Sequence, residues 1–260
     1  MQQRAHAVAA LYKRLWKEID TIQTEKIVSQ FLFNVDLPRI WFLGKRCLDV
    51  GCGSGFAVFA MEQVGARCYA IDLERSSLQA VQARLGGRAS ARKLVSASAL
   101  ELPFAPESFD FVHCNGVLHH TLDPRTGFAE LVRVLKPGGT LFVSLYGKGG
   151  LYGAIVGLGR SLRPLLPYGL VDRCLGMVFR DRRVPNSFVP AKVSVLDNLY
   201  VPIRESYREV EIRSWFDEEG FAPRSVQRTR TTIYDHTRPL NRFIHGEGYL
   251  QLRAIKPGRE

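Results

Sequence analysis

Cys47-Leu48-Asp49-Val50-Gly51-Cys52-Gly53-Ser54-Gly55 is the stretch that decides how this chain is read. Three glycines at alternate positions follow an apolar run and precede a helix-like segment. Glycine lets the backbone turn sharply and lets a ligand approach the main chain closely. Asp49 then selects the ligand. A dinucleotide loop cradles a pyrophosphate on bare N–H groups at a helix N-terminus. A carboxylate two residues ahead of the first glycine repels a phosphate and attracts a cation. The spacing agrees, because the third glycine of a G-x-G-x-x-G fingerprint would fall at position 56, which is Phe56. The loop reads as built for a nucleoside that carries positive charge.

Outward from the loop, strand-like and helix-like segments alternate. Residues 46–50 form a short buried strand and 56–64 a helix. Residues 67–71 form a second strand ending in Asp72, followed by a helix over 76–85 with a serine N-cap. Residues 93–97 give a third strand, and 109–114 a near-continuous apolar strand of the kind buried on both faces. Asp123-Pro124 opens a helix carrying Phe128, Leu131, Val132 and Leu135, which stops at Lys136-Pro137-Gly138-Gly139. Residues 140–145 are a fifth strand. Alternation at this spacing builds right-handed β-α-β units, hence an α/β fold with a parallel sheet covered by helices on both faces.

The flanks are less regular. Residues 5–33 read as one or two amphipathic helices. Residues 147–205 are too long for a plain loop and read as a helical insertion. A helix over 206–219 turns Val210, Ile212, Trp215 and Phe216 inward, and strands near 224–229 and 249–255 close the chain as a hairpin-like edge. The expected organisation is N-terminal helices over 1–45 packing near the ligand site, a binding domain over 46–146 and 206–260, and the insertion as a cap over the substrate.

Composition bounds the function. The 46% apolar content of the 260 residues supplies a core. Five cysteines without C-x-x-C spacing suit reduced thiols in a cytoplasmic protein better than disulfides or a zinc site. No signal-peptide core opens the sequence, and the longest apolar run, residues 151–159, is about half a bilayer span. The net charge of +11 invites a polyanion partner, yet the excess divides almost evenly between residues 1–150 and 151–260. Only residues 180–183 and 228–230 cluster it. A solvated basic surface is the simpler reading, with nucleic acid the weaker one.

In open parallel sheets, ligands sit beyond the carboxyl ends of the strands. Asp49 and the glycines follow the first strand. Asp72 ends the second, about twenty residues on, where an acidic side chain accepts bonds from both ribose hydroxyls. Ser98, Ala99 and Leu100 follow the third. Asn115, Gly116, His119 and His120 follow the fourth. His113, inside that strand, reads as a core or cap residue.

These residues, with Leu102-Pro103-Phe104, Ser108-Phe109-Asp110, Val117-Leu118-His119-His120 and Val134-Leu135-Lys136-Pro137-Gly138-Gly139, resemble the class I S-adenosylmethionine-dependent methyltransferases. The similar branch is that of ubiquinone/menaquinone-biosynthesis enzymes. The match covers about residues 45–146, with a weaker echo in Trp215-Phe216 and Gly220-Phe221. The resemblance implies a Rossmann-like, doubly wound seven-stranded sheet whose last strand runs antiparallel. It implies S-adenosylmethionine as cofactor, with Asp49, Gly51, Cys52, Gly53 and Gly55 near the methionine moiety and Asp72 with Leu73 at the ribose. Ser98 and Ala99 would meet the adenine edge, and Leu100, Asn115 and Gly116 complete the cofactor set. The family commonly has an acidic residue where Ser98 stands, so the adenine contact is weaker here.

A sulfonium methyl is already activated, so catalysis rests on holding an acceptor close and aligned in a dry site. An oxygen or nitrogen acceptor of small-molecule class also needs a base for its proton, and His119 and His120 stand where the methyl is expected. In the insertion, Leu151–Val156 with Leu162, Leu165, Leu166, Leu170 and Met177 make an apolar stripe crossed by Arg160, Arg163, Arg173 and Arg180. It reads as a lid over an apolar or aromatic acceptor, touching a membrane surface, or as plain packing on the sheet. The alternative functions are a tRNA- or rRNA-modifying methyltransferase, a cofactor-binding partner without turnover, and, more remotely, a nicotinamide dehydrogenase.

Overall fold

The computed structural model describes residues 24–86, 93–179, 191–229 and 239–258. Its centre is a seven-stranded sheet in the order β3-β2-β1-β4-β5-β7-β6. The strands are β1 (Arg46–Val50), β2 (Arg67–Asp72), β3 (Lys93–Ser96), β4 (Phe109–Asn115), β5 (Leu135–Tyr146), β6 (Gln227–Arg228) and β7 (Tyr249–Ile255). Strands β1 to β5 are parallel, and β7 runs antiparallel to both β5 and β6. The order reverses between β1 and β4, which makes their carboxyl ends the topological switch point.

Helices cover both faces. In α1 (Thr24–Val35), Ile27, Val28, Phe31 and Val35 are buried. That spacing puts one stripe of the helix against α2 (Phe56–Gln63) and the sheet residues Phe111 and Phe142. Each such side chain contributes about 1.5–3 kcal/mol on burial. On the other face, α4 (Pro124–Val134) and α8 (Glu209–Glu218) bring Phe128, Trp215 and Phe216 together over β4 and β5. The remaining helices are α3 (Arg75–Leu85), α5 (Gly150–Ser161), α6 (Tyr168–Val178), α7 (Ala191–Tyr200) and α9 (Pro239–His245). The first half of residues 1–45 and the Arg180–Arg183 cluster lie outside the described residues.

Several local expectations are corrected. The N-cap of α3 is Glu74, whose carboxylate accepts from the Ser76 N–H at 3.4 Å, so the serine stands inside the helix. Lys136-Pro137-Gly138-Gly139 is not a break before the strand but the first part of β5. The extra residues are absorbed as a bulge against Phe109–Phe111, and Gly138 N and Gly139 O bond with Lys256 of the neighbouring chain end. Val210 is 68% exposed, because it lies on the face of α8 opposite the buried stripe of Ile212, Trp215 and Phe216. The last two strands do pair, but β7 is interior and β6 forms the edge. Helix α9 stands in their connection, so they are no simple hairpin.

Within 147–205 the described residues include three helices, α5, α6 and α7. Gly150 packs so tightly on α9 that an added Cβ would lie 2.2 Å from Gly246 N. Arg160 of α5 donates to the Asn198 carbonyl of α7 at 3.0 Å. These contacts fix the insertion's first helix to the rest of the fold.

Candidate functional site

A cavity opens beyond the carboxyl ends of β1, β2, β3 and β4. Its floor is the glycine loop. Gly51 has φ +68°, and an added Cβ would stand 2.4 Å from Val117 Cγ2, so this turn excludes any side chain. Four of the loop's N–H groups, those of Gly51, Cys52, Gly53 and Gly55, are already spent. Gly51 and Cys52 both donate to the Ile71 carbonyl at 2.9 Å, and Gly55 donates to the Cys52 carbonyl. Gly53 donates to Asp72 Oδ2 at 2.9 Å. Arg84 Nε donates to Ser54 O at 2.9 Å and holds the far side of the bend.

Asp72 is the hinge between loop and cavity. Its Oδ1 accepts from the Glu74 N–H at 2.9 Å, while Oδ2 accepts from Gly53. With Ser77 as a third donor, the carboxylate still keeps acceptor capacity for a ligand hydroxyl. Burial raises this carboxyl above its usual range, opposed by those two N–H groups and Ser77, with Asp49 adding to the rise. Leu73, Ala97, Ser98, Ala99 and Leu100 line the adjoining wall. Ser98 Oγ accepts from Leu100 N at 3.1 Å, so its own O–H remains to be donated. The stretch that follows is clamped from below: Glu130 accepts from Leu102 N at 2.7 Å, and Arg133 donates to the Leu102 and Phe104 carbonyls. That clamp gives Leu102-Pro103-Phe104 its structural role.

Asn115, Gly116, Val117 and His120 close the other side. Of the expected cofactor residues, Gly51, Gly53, Asp72, Leu73, Ser98, Ala99, Leu100, Asn115 and Gly116 all line the cavity. Asp49, Cys52 and Gly55 stand behind it. Asp49 is 3% exposed, and its Oδ1 lies 2.7 Å from His113 Nδ1. His113 is therefore the carboxylate's partner and stacks on Phe142, a role the sequence did not reveal because the two are 64 residues apart.

The two neighbouring histidines separate in the same way. His119 is fully buried and does not reach the cavity; its Nδ1 accepts from Tyr146 N at 3.3 Å, and its ring packs 4.0 Å from the Tyr146 ring. Burial, with His120 and Arg204 beside it, pushes this imidazole below its usual range. His120 does line the cavity. Its Nδ1 is 2.7 Å from the Ile203 carbonyl, which can only accept, so the proton sits on Nδ1. Its Nε2 lies 3.8 Å from Asp197 Oδ1. Burial lowers this imidazole too, partly countered by Asp197 and the Ile203 carbonyl. Tyr146 Oη donates to the other Asp197 oxygen, and the Arg204 guanidinium covers the Tyr146 ring at 4.6 Å. The insertion thus supplies Asp197 and Ile203 to the wall around His120. No spacing rule ties residues nearly eighty positions apart, so sequence reading passed over both.

The other aromatic candidates are packing groups. Tyr200 donates to the Leu166 carbonyl at 2.6 Å, and Tyr207 packs edge-on against Trp215. Tyr234 lies outside the described residues. Cys47, Cys52, Cys68 and Cys114 are buried, Cys174 is exposed, and none of the five is in a disulfide. Among the described residues, no helix is long and apolar enough to cross a membrane.

Comparison with known proteins agrees with this geometry. A family model described as a methyltransferase domain matches residues 48–143. The ubiquinone biosynthesis O-methyltransferase of Thiobacillus denitrificans is 38% identical over 133 residues, 50% of this chain and 56% of that protein. That of Methylococcus capsulatus is 36% identical over 163 residues, 61% of this chain and 68% of that protein. The chain thus spans little more than half of the first relative and about two thirds of the second. Among solved structures, the 1,6-didemethyltoxoflavin-N1-methyltransferase of Burkholderia thailandensis, with 1,6-didemethyltoxoflavin and S-adenosylhomocysteine bound, gives a TM-score of 0.53. At 18% identity, over 97% of this chain and 90% of that one, the likeness concerns the fold alone.

Proposed function

Since the chain belongs to the S-adenosylmethionine-dependent methyltransferases, we propose that it methylates an oxygen or nitrogen of a small apolar or aromatic molecule. One observation carries the reading. The loop N–H that a pyrophosphate would need at Gly53 is given instead to the Asp72 carboxylate, and Asp49 adds a second buried carboxylate beneath the same loop. Two acidic groups beside a loop of committed donors oppose a phosphate diester and suit a cationic nucleoside. Bound there, S-adenosylmethionine supplies a sulfonium methyl that needs no further activation.

The chain's own residues then bind and orient. Asp72, with Leu73, takes the ribose hydroxyls. Ser98 donates its O–H toward the adenine edge, with Ala99 and Leu100 as the apolar wall. Gly51 and Gly53, with Asn115 and Gly116, leave room for the methionine end, and Asp49, Cys52 and Gly55 support that loop from behind. His120 faces the acceptor: with its proton held on Nδ1, its Nε2 is the proton-accepting atom. His119 serves behind it as a positioning residue through Tyr146. The helices of 147–205 act as the cap that bounds the acceptor. The relatives' names, ubiquinone biosynthesis O-methyltransferases, favour oxygen. Arg228, part of one basic cluster, is paired to Glu209 at 2.8 Å, which supports a small molecule over a tRNA or rRNA.

The test is calorimetry with S-adenosylhomocysteine and with NAD, followed by transfer of labelled methyl to a panel of phenols and aromatic amines. Micromolar binding of the homocysteine, no response to NAD, and label on a phenol oxygen are expected. Retention of NAD with indifference to S-adenosylhomocysteine would overturn the reading.

A further inference from the structure

The insertion presents an apolar face that none of the described residues covers. On α5, Leu151, Ile155 and Leu158 follow at helical spacing and are 49%, 59% and 63% exposed, while Val156 is turned inward at 5%. Leu165, just beyond the helix, is 77% exposed. Helix α9 packs beside α5 and adds Phe243 at 68%. Of the two sequence readings of this stripe, packing on the sheet is therefore the one it does not fit. Contiguous exposed apolar surface of this kind marks an interaction site.

Charge selects the partner. Within residues 150–179 the basic groups are Arg160, Arg163 and Arg173, and the single carboxylate is Asp172, which Lys192 holds at 2.9 Å. Arg163 and Arg173 are exposed. Two copies of such a face would set like charges against each other. An anionic surface with an apolar interior matches both features. A helix of 12 residues is about 18 Å long, too short to span a bilayer but suited to lie in its interface with one apolar side down.

We propose that the α5–α6 face docks on an anionic lipid bilayer, with Leu151, Ile155 and Leu158 among the acyl chains and Arg163 and Arg173 at the lipid phosphates. Docking is independent of the methyl-transfer reading, since it requires neither cofactor nor turnover.

Flotation of the full chain with vesicles tests this. Binding is expected to vesicles of 70% phosphatidylcholine and 30% phosphatidylglycerol, to fall at least tenfold on pure phosphatidylcholine, and to weaken with added salt. Ile155→Glu with Leu158→Glu should cost at least a further tenfold, whereas Ile40→Glu, even more exposed and ahead of β1 at the opposite end of the sheet, should cost nothing. These are surface positions, and unchanged circular dichroism checks the fold; Arg163→Gln with Arg173→Gln gives a second route, reducing binding to the anionic vesicles only. Binding blind to lipid charge, or to both double variants, overturns the proposal. So does a concentration-dependent dimer in sedimentation that Ile155→Glu with Leu158→Glu dissolves, because the face would then belong to a second copy.

Discussion

Replacing Gly51 by alanine should damage the molecule in two separable ways. The residue sits at φ +68°, where an L side chain costs about 1–2 kcal/mol. The new methyl would also stand 2.4 Å from Val117 Cγ2 and 3.3 Å from Val117 Cβ, so the valine must move, an overpacking cost of about 1–3 kcal/mol. Together these give about 2–5 kcal/mol, which in a chain of this size lowers Tm by roughly 5–15 °C. Gly220→Ala is the control. That residue has φ +78° at the end of α8 with nothing within 4 Å, so only the backbone cost, about 1–2 kcal/mol, applies. Because Val117 lines the cavity, Gly51→Ala should also weaken S-adenosylhomocysteine at least tenfold by calorimetry, and Gly220→Ala should not. Equal Tm losses and equal affinities for the two variants would refute the steric argument at the loop.

Three further outcomes are expected. Asp72→Ala removes a charged acceptor for a ligand hydroxyl, worth about 1.5–3 kcal/mol, so cofactor affinity should fall roughly 10- to 150-fold in calorimetry; an unchanged Kd contradicts the ribose assignment. His120→Ala should cut methyl transfer by about 10²–10⁴ with little change in cofactor binding, whereas His119→Ala should chiefly lower Tm by leaving Tyr146 N–H unpaired; the reverse pattern would exchange their roles. Both imidazoles titrate below their ordinary value of 6.5 when folded. Between 6.5 and those lower values the unfolded chain holds protons that the folded chain refuses. Stability should therefore fall as pH drops below about 6.5, by up to about 1.4 kcal/mol per unit for each histidine; a Tm constant from pH 7 to 5 would contradict the burial of both.

What could be read from the sequence was what depends on neighbours along the chain. The bounds of β1 and β2, the Asp123 cap on α4, and the convergence of Asp72, Ser98 and Gly116 on one rim follow from turn chemistry and strand alternation. Propensity misled where tertiary pairing was stronger. Pro137-Gly138-Gly139 has the composition of a turn, yet hydrogen bonds to the far end of the chain draw it into β5. Val210 is apolar, but two positions before Ile212 it stands about 200° round the helix, so α8 turns it to solvent while burying Ile212, Trp215 and Phe216. The contacts of Asp49 with His113, and of His120 with Ile203 and Asp197, are long-range and polar. They obey no periodicity, so a single sequence is silent about them.

The placement of β7 has a consequence for how the protein is made. β7 pairs with β5 on one side and β6 on the other, so it is a wedge inside the sheet and not a border. The ribosome finishes β5 well before β7, and residues 147–248 must emerge in between. At ordinary elongation rates the open flank of β5 waits on the order of 5–20 s for its mate. An unpaired apolar strand is an invitation to wrong partners, and protection during that wait must come from the helices synthesised meanwhile or from a chaperone.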